Sequence, residues 1–243
     1  MKRGWDGAIL AGFFLCFADV NAMDSALQAP HDPGAAQEVN IVAFKNPERL
    51  SYQAYARGMD AAERLRALAP QAEIGLRLIS LSGKALSLEL VDDAGKQAIE
   101  LDTNGRFTLH QQREPGKEAY LVASASAGKA RFEPVVQTPG LAPSVRRLGD
   151  LRLECEMQWA MIKDELPLVM RATFKLAGGI CHSKKIPMQF TAGAKLNSAV
   201  LVEGARTLNL TLTPKSSAFY APVHDRGWGN DAHVVLEFAP AEP

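Results

Sequence analysis

The chain reads as mainly β, with two β-sandwich-like domains in tandem and one amphipathic helix near the N-terminal side. Three observations carry this expectation. Apolar residues alternate with polar ones over many short segments, turn-forming Asp, Asn and Gly residues separate those segments, and a single stretch shows helical periodicity.

The chain opens with Lys2 and Arg3, continues with the apolar run AILAGFFLCFA at 8–18, and then has small residues at Val20 and Ala22. Positive charge, a short apolar core and small side chains, in that order, predict a cleaved export signal over 1–22, with Met23 as the new terminus. The apolar run falls short of the roughly 20 residues that span a bilayer, so no transmembrane anchor is expected. Leu15 stands where a lipidation motif places a small residue before its cysteine, which argues against Cys16 as a lipid anchor. The expected location is the periplasm if the source is a Gram-negative bacterium, and otherwise the exterior. Residues 23–39, rich in Pro, Gly and Ala without periodicity, read as a flexible leader.

Removal of 22 residues from the 243 leaves room for two β domains, placed at 40–132 and 147–243 with a Pro-rich linker at 133–146. Lys plus Arg total 27 and Asp plus Glu total 27, so no net field gathers a nucleic acid, and nucleic-acid partners are not expected.

In the first domain, VNIVAF at 39–44 is a short β-like run. Asn46-Pro47-Glu48 then supplies a helix cap with Pro at the first helical position. Leu50, Tyr52, Tyr55, Ala61, Ala62, Leu65 and Leu68 share one side of a helical wheel, and Pro70 ends the run. From Ile74 the period becomes two, predicting strands around 74–78, 86–90, 97–101, 107–111 and 119–124. Asp92-Asp93-Ala94-Gly95 and Thr103-Asn104-Gly105-Arg106 provide the turns between them.

The stretch LELVDDAGKQAIELDTNGRFTL, followed by AYLVAS, resembles the carboxypeptidase regulatory-like modules, small transthyretin-like sandwiches, over about residues 73–136. Asp92, Gly95, Asn104, Gly105 and Phe107 follow that family's order of turn and strand-opening residues, with Gly83 the candidate for its opening glycine. The resemblance implies a non-catalytic scaffold or binding module.

In the second domain, Leu151, Leu153, Cys155, Met157 and Trp159 alternate with Arg152, Glu154, Glu156 and Gln158, which predicts a strand over 148–159. Further strands are expected at 169–174, 185–191, 199–202, 207–213 and 232–238. Once Cys16 leaves with the signal, Cys155 and Cys181 remain as an even pair, read as a disulfide in or beside a core, with separate buried thiols as the alternative.

Candidate chemistry is sparse. Cys181-His182-Ser183 after Gly178-Gly179 offers a nucleophile and a base, but neighbours in a strand point to opposite faces and the disulfide claims Cys181. His182, His224, Asp225, Asp231 and His233 lack metal-binding spacing, so no metal and no cofactor is expected. Asp92-Asp93 and Asp164-Glu165 flank turns. The loop PVHDRGWGND suggests a recognition surface built from Tyr220, His224, Asp225, Arg226 and Trp228, with Trp228 as a core plug the plainer alternative. The sequence therefore reads as an exported binding or accessory protein of the cell envelope, for a protein or small ligand. The alternatives are a hydrolase or metal-dependent enzyme acting through 178–185 and 220–233, and a structural subunit of an envelope assembly.

Overall fold

A computed structural model describes residues 46–109, 118–176 and 179–240. The expected signal, leader and 39–44 run lie outside the described residues. Strand accounts for 38% and helix for 23%, so the chain is mainly β, although three helices stand where one was expected.

The first half builds two antiparallel sheets. Strands β1 (Pro47–Ser51), β6 (Tyr120–Ser126), β3 (Leu88–Asp92) and β4 (Gly95–Ile99) form one, in that order. Strands β5 (Arg106–Phe107), β2 (Glu73–Ser80) and β7 (Ala130–Gln137) form the other. Both contribute to one apolar core, with Leu88, Leu90 and Leu121 from the first sheet and Leu76, Leu78, Phe107 and Val136 from the second.

The turn residues act as their chemistry requires. Asp92 pairs with Gly95 across a two-residue loop, the Asp92 carboxylate accepts from Ala94 N–H at 3.0 Å, and Gly95 takes a φ of +125°. Asp102 Oδ1 likewise accepts from Asn104 and Arg106 N–H, both at 2.8 Å.

Helix α1 (Tyr52–Arg64) starts later than expected. Residues 47–51 pair with β6 as an edge strand, where a leading Pro costs no ladder bond, and Ser51 takes the N-cap role, its Oγ accepting from Ala54 N–H at 3.1 Å.

The largest correction concerns 148–159, which is not a strand but helix α2 (Leu148–Ile162). Two residues turn a helix by about 200°, so alternate apolar side chains fall on nearly opposite faces. A strand pattern and a helix buried on two sides therefore look alike. Leu153, Met157 and Met161 enter the first core, while Leu148, Leu151 and Cys155 enter a second. The second core is completed by β9 (Met188–Thr191), β10 (Leu196–Glu203), β12 (Ala218–Ala221) and β13 (His233–Phe238), with β8 (Val145–Arg147) and β11 (Arg206–Asn209) as edge strands. These strands form a sheet of order β11-β10-β13-β8 and a β12-β9 pair.

Residues 169–174 are likewise helical, within α3 (Leu168–Leu176). The segment 133–146 is not a free linker. It holds the end of β7, a turn and the start of β8, and the described residues group as one unit in which α2 serves both cores. Pro134 fits because β7 is an edge strand, on which a missing N–H can face away from the sheet.

Two glycines let α2 approach its neighbours. A Cβ on Gly58 of α1 would meet Met161 Cγ at 2.7 Å, whereas one on Gly149 would meet the backbone carbonyl of Leu68. The thioether can move and the carbonyl cannot. Gly58→Ala is accordingly expected to stay within about 1 kcal/mol of wild type, the clash offsetting the gain in helix propensity, and Gly149→Ala to lose about 2–3 kcal/mol. Urea unfolding of the two variants checks the order, and equal losses would contradict this packing.

Candidate recognition surface

Helix α2 carries three buried charged residues, Asp150, Arg152 and Glu154, and each is tied to backbone. Asp150 accepts from Thr138 N–H and Oγ1–H, both at 2.8 Å. Glu154 Oε1 accepts from Val136 N–H at 2.9 Å and from the Arg146 guanidinium at 2.6 Å. Burial pushes the Glu154 carboxyl above the usual carboxylate range, although Arg146, the Val136 N–H and Arg77 pull the other way.

Arg152 points to the opposite side and organises the loop that follows β12. Its guanidinium donates to the carbonyls of Val223 (3.1 Å), Asp225 (2.6 Å) and Trp228 (2.9 Å) and to Asn230 Oδ1 (2.6 Å). Burial and then the charge of Arg226 lower its pKa from the usual arginine value, while Asp225 and Glu203 oppose the shift. The β10–β11 hairpin holds the same loop from another side. Glu203 accepts from Gly229 N–H at 2.8 Å, Arg206 donates to the Gly227 carbonyl at 2.9 Å, and the Arg206 guanidinium lies 4.0 Å from the Trp228 ring centroid. Within the loop, Asp225 Oδ1 accepts from Gly227 N–H at 2.8 Å.

The disulfide Cys155–Cys181 is present, with its Cα atoms 5.8 Å apart, and both sulfurs belong to the second core. It fixes the turn 179–183 against α2, and that turn carries His182. The His182 ring bridges Glu156 of α2, 3.0 Å from Nε2, and Arg226 of the loop, 3.3 Å from Nδ1. Both ring nitrogens of His182 thus have a neighbour, Nδ1 in Arg226 and Nε2 in Glu156.

Of the expected recognition residues, Arg226 is exposed, His224 and Asp225 are half-buried and lie beside it, and Tyr220 is a half-buried residue of β12. Trp228 is 6% exposed and packs in the second core, because Arg206 covers its ring and Arg152 holds its carbonyl. It is a floor for the loop and not an exposed anchor.

Several residues of the alternative enzyme segments have partners of their own. Cys181 is bonded, Ser183 is buried with its Oγ accepting from Lys185 N–H at 3.3 Å, and Asp231 pairs with Arg147. Among the described residues no group of three His, Cys, Asp or Glu is arranged to hold a metal. Asp164 is engaged by Arg57 and Arg171, at 3.3 and 3.5 Å.

Sequence reasoning missed Arg152, Glu156, Glu203 and Arg206. For the two α2 residues the available signal was four charged residues, Asp150, Arg152, Glu154 and Glu156, alternating with apolar ones, since charges on a buried helix must find partners.

Replacing Arg152 by Met would leave three carbonyls and one amide oxygen without their donor. The expected loss is about 3 kcal/mol or more, with trypsin cleavage after Arg226 sharply accelerated. Arg152→Lys would restore only part, because an ammonium lacks the guanidinium fork. Urea unfolding and timed proteolysis read both. Glu154, whose folded pKa is raised, contributes stability that is full below the ordinary carboxyl range and is lost as pH rises through the folded value. In a pH series of urea unfolding, wild type should therefore gain on Glu154→Gln as pH falls toward about 4, and a slope of opposite sign would contradict a raised Glu154 pKa.

No protein-family model, no curated protein and no solved structure matches this chain, so the reading of this surface rests on its own geometry.

Proposed function

We propose that this chain is an exported, non-enzymatic binding or accessory protein of the cell envelope, which recognises its partner through the loop 222–230 and the adjoining turn 179–185. One observation carries the reading. The loop is held by Arg152, Glu203 and Arg206 through its own backbone, while Cys181, His182, Ser183 and Asp231 each have a partner of their own. A loop fixed before binding loses little entropy on association, which is a property of recognition surfaces.

The export part of the proposal is supported by the charge, apolar core and small-residue order of 1–22, and by a disulfide, which persists in oxidising compartments. Among the described residues no helix is long and apolar enough to cross a membrane. We also propose that about residues 73–136 form a module of the carboxypeptidase regulatory-like type; this stretch holds strands β2 to β7 of the two antiparallel sheets. That module type agrees with a binding role.

A single experiment tests the proposal. A photo-crosslinking side chain is placed at exposed Lys184, with exposed Lys96 of β4 as control, and the protein is recovered from its native compartment for mass analysis with and without reduction. The expected result is a chain beginning at Met23, cysteines that resist alkylation until reduced, and a crosslinked species from position 184 that is lacking from position 96. A retained N-terminus with free thiols would overturn export, and identical products from the two positions would overturn the surface.

A further inference from the structure

Helix α3 stands apart from the rest of the fold in how little it buries. None of its nine residues is buried, and Leu168, Val169, Met170 and Leu176 are 77%, 78%, 46% and 91% exposed. They make up half of the eight large apolar side chains exposed among the described residues. On the helical wheel Leu168, Ala172, Leu176 and Val169 form one continuous sector, while Phe174 lies on the other side and stacks edge-on against Trp159 of α2 at 5.6 Å. The helix is thus attached by one aromatic contact and by Arg171, whose guanidinium donates to the Asp164 carbonyl at 2.9 Å. The wide apolar sector is left to solvent.

Charge narrows the choice of what covers it. Arg171 and Lys175 are the only charged residues of α3, and Lys175 adjoins Leu168 on the wheel. Exposed Lys184 and Lys185 follow in the turn that Gly179 N–H joins to the α3 C-terminus, through a 2.8 Å bond to the Phe174 carbonyl. A second copy of this helix would bring cation against cation. Aliphatic side chains on a convex helix, with lysines at its margin and no acidic residue along it, match an interfacial helix lying in the plane of an anionic bilayer.

We infer that α3 seats on an anionic lipid surface, with Leu168, Val169 and Leu176 entering the acyl boundary and Lys175 meeting the headgroups. The helix is far too short to span, so the association is peripheral and reversible. The inference does not depend on the recognition loop, and it stands or falls separately from that reading.

The test uses the full disulfide-bonded chain with a tryptophan at position 176, mixed with phosphatidylcholine vesicles with and without phosphatidylglycerol. A blue shift of the Leu176→Trp emission is expected only with the anionic vesicles. Co-sedimentation should fall about tenfold or more in Leu168→Asp/Leu176→Asp, and should weaken as salt rises. Both side chains are exposed, so the double variant should keep the wild-type unfolding midpoint; if it does not, the emission shift decides. No shift with either vesicle would overturn the inference, and so would sedimentation unaltered by the double variant. A lipid-free dimer that the double variant dissociates would assign the face to a second copy instead.

Discussion

The fold depends on one arrangement, a buried helix that supplies polar groups to the edge of a sheet. Strand β7 ends its sheet, and the N–H groups of Val136 and Thr138 point away from β2. Two residues of strand advance about 6.7 Å, and four residues of helix advance about 6 Å. Asp150 and Glu154, four apart on α2, therefore match donors two apart on β7, and each carboxylate accepts one of them. Pro134, two residues before Val136, occupies the next position in the same series and has no N–H to satisfy. An exposed edge would invite pairing with another chain, and here the helix covers it.

This constraint explains how α2 can bury three of its four charged residues, Asp150, Arg152 and Glu154. An ionised group taken out of water is costly unless its partners are supplied, and the partners here are backbone groups of β7 and of the loop 223–230. Because those groups need α2 as much as α2 needs them, the helix, the strand edge and the loop form together or not at all. The disulfide adds to this set. By the chain-entropy estimate, closing the stretch between Cys155 and Cys181 contributes roughly 3–4 kcal/mol, and it holds the turn of His182 against the same helix. Helix α3 lies at the other extreme, attached through one ring contact and one arginine. Local stability therefore falls steeply between α2 and α3, although Ile162 and Leu168 are close in sequence.

What could be read from the sequence follows from this division. The β2–β5 region was legible because its turns are decided locally, by Asp side chains bonding their own backbone and by Gly at positive φ, and because each strand has one wet face. The disulfide was legible from the even pair of cysteines that remains once Cys16 is assigned to the expected export signal. Helix α2 was not, since alternation is what a two-sided helix displays when apolar residues serve cores nearly 200° apart. A second signal existed in its composition. From Leu148 to Met161 there is no β-branched residue, and Leu, Met, Glu, Gln and Arg favour helix. Residues 47–51 misled in the opposite sense, because a capping pattern with Pro also suits the first residues of an edge strand.

The loop 222–230 was singled out by composition, yet its geometry was not legible, because the groups that shape it come from far along the chain. Arg152, Glu203 and Arg206 all act on backbone carbonyls and N–H groups within 223–230, and a backbone partner leaves no mark in the sequence of the loop itself. The same reason accounts for Trp228. It takes the core-plug place that was the plainer of its two readings, and Gly229 beside it lets the Glu203 side chain reach the backbone. A Cβ on Gly229 would meet Glu203 Oε1 at 2.6 Å. The loop is thus glycine-rich because its backbone is gripped, which is the reverse of the flexibility that such a composition ordinarily suggests. A rigid loop presenting Arg226 and a loosely held apolar helix flank the same disulfide-tethered turn, so the two most distinct surfaces of the molecule are positioned by a single helix.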